Sequence, residues 1–338
     1  MRRFPSTIQQ LIENSGLNLN RISLSSGISN TYLAKLCRGD INRPGKDKLA
    51  SVLLTLNYTV SEINEVLSSY DYQPLHGDDI PAILENNRAR KIGGGTLPQF
   101  DHVYFDLLLV VLEQEGGESL LVKDRPSDVF MPHQLYLTRE YPYEYSDGST
   151  EFRQLLTREI LKERRMIFLE KCERGTKVTT YICKSCFKDF IASLFAIETN
   201  ENRLLAVQYL ANALSLIIKQ PENHKIHFMD RCPYFHFIVY GAERNTPKVS
   251  YTGRKLHSYS RECDKRMFEG FTSDLPHTVN QFTAELERCD EALDKAMNSS
   301  YPHGVVAHCK ELCRQYRVED MLERELTVLL ESEKLTLH

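Results

Sequence analysis

The chain has 338 residues, 41% of them hydrophobic and 26% charged, with a net charge of −4. That is the composition of an ordinary globular protein of two or three domains, and its slight acidic balance excludes a uniformly basic nucleic-acid coat. The longest clean apolar run, 107–112, is far short of the roughly 20 residues that span a bilayer, so no membrane partner is expected.

The first residues, MRRFPSTIQQ, have no apolar stretch behind their two Arg and do not read as a secretory signal. A cytoplasmic chain is expected, its nine Cys mostly reduced thiols. Charge is unevenly spread. Residues 1–50 hold Arg2, Arg3, Arg21, Lys35, Arg38, Arg43, Lys46 and Lys48 against Glu13, Asp40 and Asp47, a local excess of +5. Basic charge gathered on one small region is the footprint of a phosphate-contacting module.

Five short helices are predicted in this region. The first covers 6–15, with Ile8, Leu11 and Ile12 on one face, Ser6 as its cap and Gly16 as its stop. Asn18 caps a second that carries Leu19 and Ile22. Gly27 follows, and a third helix starts after Ser29, turns Leu33 and Leu36 inward and stops at Gly39. A fourth begins near Gly45 and carries Leu49, Val52, Leu53 and Leu56. A fifth begins after Thr59 or Ser61 and carries Ile63, Val66 and Leu67.

The segments Gly16-Leu17-Asn18, Gly27-Ile28-Ser29, Leu36-Cys37-Arg38-Gly39 and Asn42-Arg43-Pro44, at these places between the helices, resemble the DNA-binding domain of the Cro/C1-type (XRE, lambda-repressor-like) helix-turn-helix regulators. The resemblance covers about a fifth of the chain. It departs at Ser23 and Ser26, where the family usually has Ala and an apolar residue, and at Leu24, where it usually has a polar one.

The resemblance implies that the third helix enters the major groove, with Ser29, Asn30, Thr31, Tyr32 and Lys35 at base edges. Asn pairs with adenine through two bonds, Lys reaches guanine, and Thr or Tyr touches a thymine methyl. Asn20, Arg38, Asn42, Arg43, Lys46 and Lys48 would lie near phosphates and set position and salt dependence.

The segment 73–99 reads as a linker, with a short helix at 78–90 and a Gly-rich hinge at Gly93-Gly94-Gly95. Residues 100–338 read as a mixed α/β domain ending in helices. A helix is predicted at 100–115, then strands and turns over 119–147, and a long helix over 150–174. A strand follows at 177–182 and helices at 187–196 and 202–218. Strands at 225–229 and 234–240 form a hairpin, a third lies at 248–252, and helix runs from 256 to the end.

The catalytic candidates are weak. Cys183 and Cys186, with two residues between them at the junction of a strand and a helix, stand where a redox pair would. A zinc site would need a second pair, so they read as small apolar residues and no metal is expected. His224, His227, Cys232 and His236 lie close in sequence, but a strand points His224 and His227 to opposite faces. There is no phosphate loop and no nucleophile elbow. His308-Cys309-Lys310 is the only His-x-Lys, and Gln315 rather than Asp follows it.

These observations predict a multidomain, non-enzymatic transcriptional regulator without a cofactor: an all-α helix-turn-helix domain at 1–72 and a sensing or oligomerisation domain at 100–338. Its partners would be a double-stranded DNA operator, a second copy of itself through helices at 276–297 and 303–331, and a small-molecule or nucleotide effector held by Arg231, His236, Tyr240 and Arg254. The alternatives are an effector with an enzymatic C-terminal domain and a non-catalytic defence-system adaptor.

Overall fold

The structure, a computed structural model, describes residues 5–99, 102–140, 149–196, 199–252 and 270–332. It divides into two compact units: residues 1–114, 143–160 and 255–275 form the first, and residues 115–142, 161–254 and 276–338 the second. The division does not fall at the expected hinge. The first unit keeps everything to Gln114 and takes back two later segments.

Unit 1 opens with α1 (Pro5–Asn14), α2 (Leu19–Ser26), α3 (Asn30–Arg38), α4 (Lys46–Thr55) and α5 (Val60–Ser68). Several of the ends have a local cause. The Asn18 side chain accepts the Arg21 N–H at 2.9 Å, and Ser29 accepts the Tyr32 N–H at 3.3 Å. Thr59 and Glu62 form a reciprocal capping box. Gly27 and Gly39 close α2 and α3 in the left-handed conformation, at φ 73° and 78°. Ser6 lies inside α1 rather than capping it.

The expected linker is ordered structure. A 310 turn at Gly77–Asp79 leads into α6 (Ile80–Arg88), whose Ile80 and Ile83 are buried. Helix α6 rests on the α2–α3 turn, and the Lys91 N–H donates to the Leu24 carbonyl at 2.8 Å. The glycine hinge is also held. The N–H groups of Gly94 and Gly95 donate to the two carboxylate oxygens of Asp274 at 3.0 and 2.8 Å, filling a backbone nest with an internal anion. Unit 1 adds β1 (Leu97–Gln99), paired antiparallel with β7 (Gly270–Ser273), and α7 (His102–Gln114). The strand β7 falls where helix was expected; four residues are too few to show a period.

Unit 2 is built on β2 (Ser119–Lys123), β3 (Val178–Cys183), β4 (His224–Met229), β5 (His236–Tyr240) and β6 (Lys248–Thr252), in the order β6-β5-β2-β3-β4. Strands β2, β3 and β4 run parallel, and β5 is antiparallel to β2 and to β6. The hairpin expected between 225–229 and 234–240 does not form. Both segments are short and mostly buried, so their sequence does not choose a partner.

The crossovers are helical, as parallel strands require. They are α8 (His133–Glu140), α9 (Thr150–Glu173, begun in unit 1), α10 (Lys184–Phe195) and α11 (Asn200–Lys219). Helix α8 corrects the reading of 119–147 as strands and turns; residues 141–147 lie outside the described set. The chain closes with α12 (Pro276–Glu291), α13 (Lys295–Ser299), α14 (His303–Gln315) and α15 (Glu319–Glu331).

The apolar sides of these last helices, expected at a dimer interface, pack inside unit 2. Phe282 of α12 meets Phe235, Phe237 and Tyr251, with ring centroids 4.9–6.0 Å apart. Leu322, Leu326 and Leu329 of α15 are buried, leaving Val328 and Leu330 exposed. Among the described residues, no helix is long and apolar enough to cross a membrane.

Candidate nucleic-acid interface

Helix α3 has two sides. Leu33 and Leu36 are fully buried against the core of the five helices. At 100° per residue, Thr31, Lys35 and Arg38 fall on the opposite arc and Asn30 at its border, and all four are exposed, as is the capping Ser29. The loop after α3 adds exposed Asn42 and Arg43, and α2 adds exposed Asn20. This edge and its flanking segments therefore offer amide, hydroxyl and cationic groups to solvent.

Two cations on this edge are only lightly held. Arg38 Nε meets Asp40 at 2.9 Å, but their side chains are 62% and 50% exposed. Such surface pairs are worth little and yield readily to a phosphate. The Arg43 guanidinium lies 4.7 Å over the Tyr72 ring, which orients it while leaving its donors outward.

Three sequence assignments need revision. Lys46 Nζ is bound to Asp79 at 2.6 Å and to the Pro74 carbonyl at 2.9 Å, and its side chain is only 14% exposed. It ties α4 to the segment before α6 and is not available to a phosphate. Tyr32 is half-buried and its hydroxyl accepts the Gly45 N–H at 3.0 Å; burial, first, pushes that hydroxyl above its ordinary pKa. Lys48 Nζ sits 4.7 Å over the same ring. Tyr32 and Lys48 thus form a bracket that fixes the start of α4 beside α3.

Of the three departures from the resemblance, Ser26 has a local reason. Ser26 is buried, and its hydroxyl accepts the Ile28 N–H at 3.2 Å, supporting the turn. A Cβ on Gly27 would stand 1.9 Å from the Asn86 carbonyl oxygen. The close seat of α6 on the turn is what the sequence reading missed. Its trace was the run Ile80, Ile83 and Ile92, apolar positions in a supposed linker that would have no use for them.

The residues named for an effector do not converge. His236 and Tyr240 are the two ends of β5, about 13 Å apart along an extended strand. Arg231 is engaged with Tyr234, hydroxyl at 2.8 Å. Arg254 lies outside the described residues, as do Arg2 and Arg3.

What unit 2 does gather is an ionic cluster at the carboxyl end of β2, with Asp128 buried and Lys123, Asp124 and Arg125 partly so. Arg125 Nε donates to Asp128 at 2.9 Å, Lys123 Nζ lies 3.6 Å from the same carboxylate, and Arg125 also meets Asp124 at 3.4 Å. Burial would raise the Asp128 pKa, but Arg125, Lys123 and Arg164 outweigh it and hold the carboxyl well below its usual range. No protein-family model, curated protein or solved structure matches the chain.

Proposed function

We propose that the protein is a sequence-specific DNA-binding transcriptional regulator whose first five helices dock α3 in the major groove. The observation that carries this is the outer edge of α3: Ser29, Asn30, Thr31 and Lys35 stand exposed on a helix whose other side is locked by Leu33 and Leu36. A rigid helix with amide, hydroxyl and ammonium groups on its free edge is what direct readout of base edges needs. Arg38, Arg43, Asn42 and Asn20 supply the phosphate contacts. One such edge makes few base contacts, so the reading includes a homodimer on two half-sites about 34–36 Å apart. Unit 2 then carries self-association, effector sensing or both.

The test is selection from random duplex DNA with the full chain and with an Asn30→Ala/Lys35→Ala double variant. An enriched inverted repeat that the variant no longer selects supports the proposal. Failure of the wild type to enrich any sequence, with a folded unit 1, refutes it. Each lost base pairing is expected to cost about 1–3 kcal/mol.

One observation favours a second reading, an enzymatic unit 2. The cluster of buried Asp128 with partly buried Lys123, Asp124 and Arg125 lies at the carboxyl end of a parallel strand, the usual place for ligands in such sheets. Thermal-shift screening of nucleotides and phosphorylated small molecules tests it. A ligand whose stabilisation survives in Asp124→Asn speaks against that site.

A further inference from the structure

The path of one short connection brings three thiols together. Strand β4 is the edge of the unit 2 sheet, while β5 lies beyond β3 and β2. Three strand spacings are about 14 Å, and the six residues 230–235 must cross them. They do so at the carboxyl ends of the parallel strands, because β4 finishes there and β5, antiparallel to β2, starts there. The β3–α10 junction, Cys183-Lys184-Ser185-Cys186, occupies the same end. Cys232 thus arrives over Cys183 and Cys186. The Sγ atoms of Cys186 and Cys232 are 3.4 Å apart, and all three Sγ lie within 4.8 Å of one another.

We propose that Cys183, Cys186 and Cys232 form a binding site for a single thiophilic divalent cation, with zinc as the ion of choice, and that its fourth position is open to solvent or to an exogenous ligand. Zinc binds thiolates at about 2.3 Å, which puts tetrahedral ligands roughly 3.8 Å apart. The Cys186–Cys232 separation is 3.4 Å and none of the three exceeds 4.8 Å, so side-chain rotations suffice. The two-residue spacing of Cys183 and Cys186 is the usual one for a pair of zinc ligands on a turn. The third ligand is 46 residues further on and exposed, which leaves one side of the ion accessible. Three protein ligands with an open position mark zinc sites that bind or activate something rather than merely staple a fold.

The surroundings support three thiolates. Ser185 Oγ lies 3.1 Å from Cys183 Sγ and can donate to it, the kind of neighbour that orients a metal ligand. Cys183 occupies the residue before the first turn of α10, where the helix favours negative charge. Lys184 bridges Asp230, at 2.6 Å, and Asp294, tying the β3–α10 junction to the start of the crossing segment. The loops that carry the ligands are therefore clamped independently of the ion. A Cys186–Cys232 disulfide is the competing use of the same atoms, and it would give Cys183 no part.

Cys183 is therefore the discriminating residue. The full chain, reduced and equilibrated with a chelator-buffered zinc solution, should hold about one zinc per chain by elemental mass spectrometry. Cys183→Ser and Cys232→Ser should each weaken binding at least tenfold, while Cys37→Ser in unit 1 should bind as the wild type does. Cobalt in place of zinc should give thiolate-to-cobalt charge-transfer absorption in the wild type. That band decides the matter even if Cys183→Ser does not fold. The proposal is overturned if the wild type holds no more zinc than a Cys186→Ser/Cys232→Ser variant, if folded Cys183→Ser binds undiminished, or if the cobalt protein lacks the band. None of these outcomes bears on DNA binding.

Discussion

Replacing Gly16 and Gly27 by Ala separates two effects that usually arrive together. Both glycines have positive φ, 68° and 73°, so an added Cβ meets the same backbone strain, about 1–2 kcal/mol. The stiffer unfolded chain returns about 0.4–1 kcal/mol of that. At Gly16 nothing lies within 4 Å of the new methyl, so Gly16→Ala should cost about 1 kcal/mol and no more. At Gly27 the methyl would meet the Asn86 carbonyl oxygen at 1.9 Å and the Ala89 Cβ at 3.3 Å. A carbonyl inside a helix cannot swing aside, so α6 must retreat by more than an ångström. That loosens buried Ile80 and Ile83, each worth about 1.5–3 kcal/mol when fully buried. Gly27→Ala should therefore cost about 3–4 kcal/mol. Hydrogen exchange on the full chain reads both costs locally: peptides of α6 should lose protection in Gly27→Ala and keep it in Gly16→Ala. Equal loss in the two variants, or unchanged α6 protection in Gly27→Ala, would refute the seating of α6 on the turn.

Lys46→Ala should leave DNA affinity and its salt slope unchanged while destabilising unit 1 by about 1–2 kcal/mol, since it removes the cation from a mostly buried pair and leaves the Asp79 carboxylate with the His76 N–H as its remaining bond; Arg43→Ala should do the opposite, lowering the salt slope by about one. Both are read by titrating a selected duplex at several salt concentrations. His224 is buried against Phe168, ring centroids 5.4 Å apart, and its pKa is lowered to about 4 by burial. The unfolded chain takes up that proton first, near pH 6.5, so stability is full above about pH 6.5 and falls towards pH 4, by about 3 kcal/mol in all. His224→Leu should remove that part of the acid sensitivity, measured as the difference in urea midpoint between pH 7 and pH 4.5; an unchanged difference would mean the imidazole is solvated.

The five-helix start of the chain was legible in its local pattern alone. Its caps at Asn18, Ser29 and Thr59 bind partners three residues away, its stops at Gly27 and Gly39 are fixed by φ, and its buried Leu33 and Leu36 follow the helical period. All of these are local, so the pattern displays them. The exposed edge of α3 was legible for the same reason. What tertiary structure decided are the pairings across long stretches of chain. Lys46 finds Asp79 rather than a phosphate, Gly94 and Gly95 find Asp274 some 180 residues on, β4 finds β3 instead of β5, and Cys232 finds Cys183 and Cys186. A short buried strand or a lone Cys has the same local character whichever partner it meets. Only the order of the strands, and the end of the sheet at which a connection crosses, selects one.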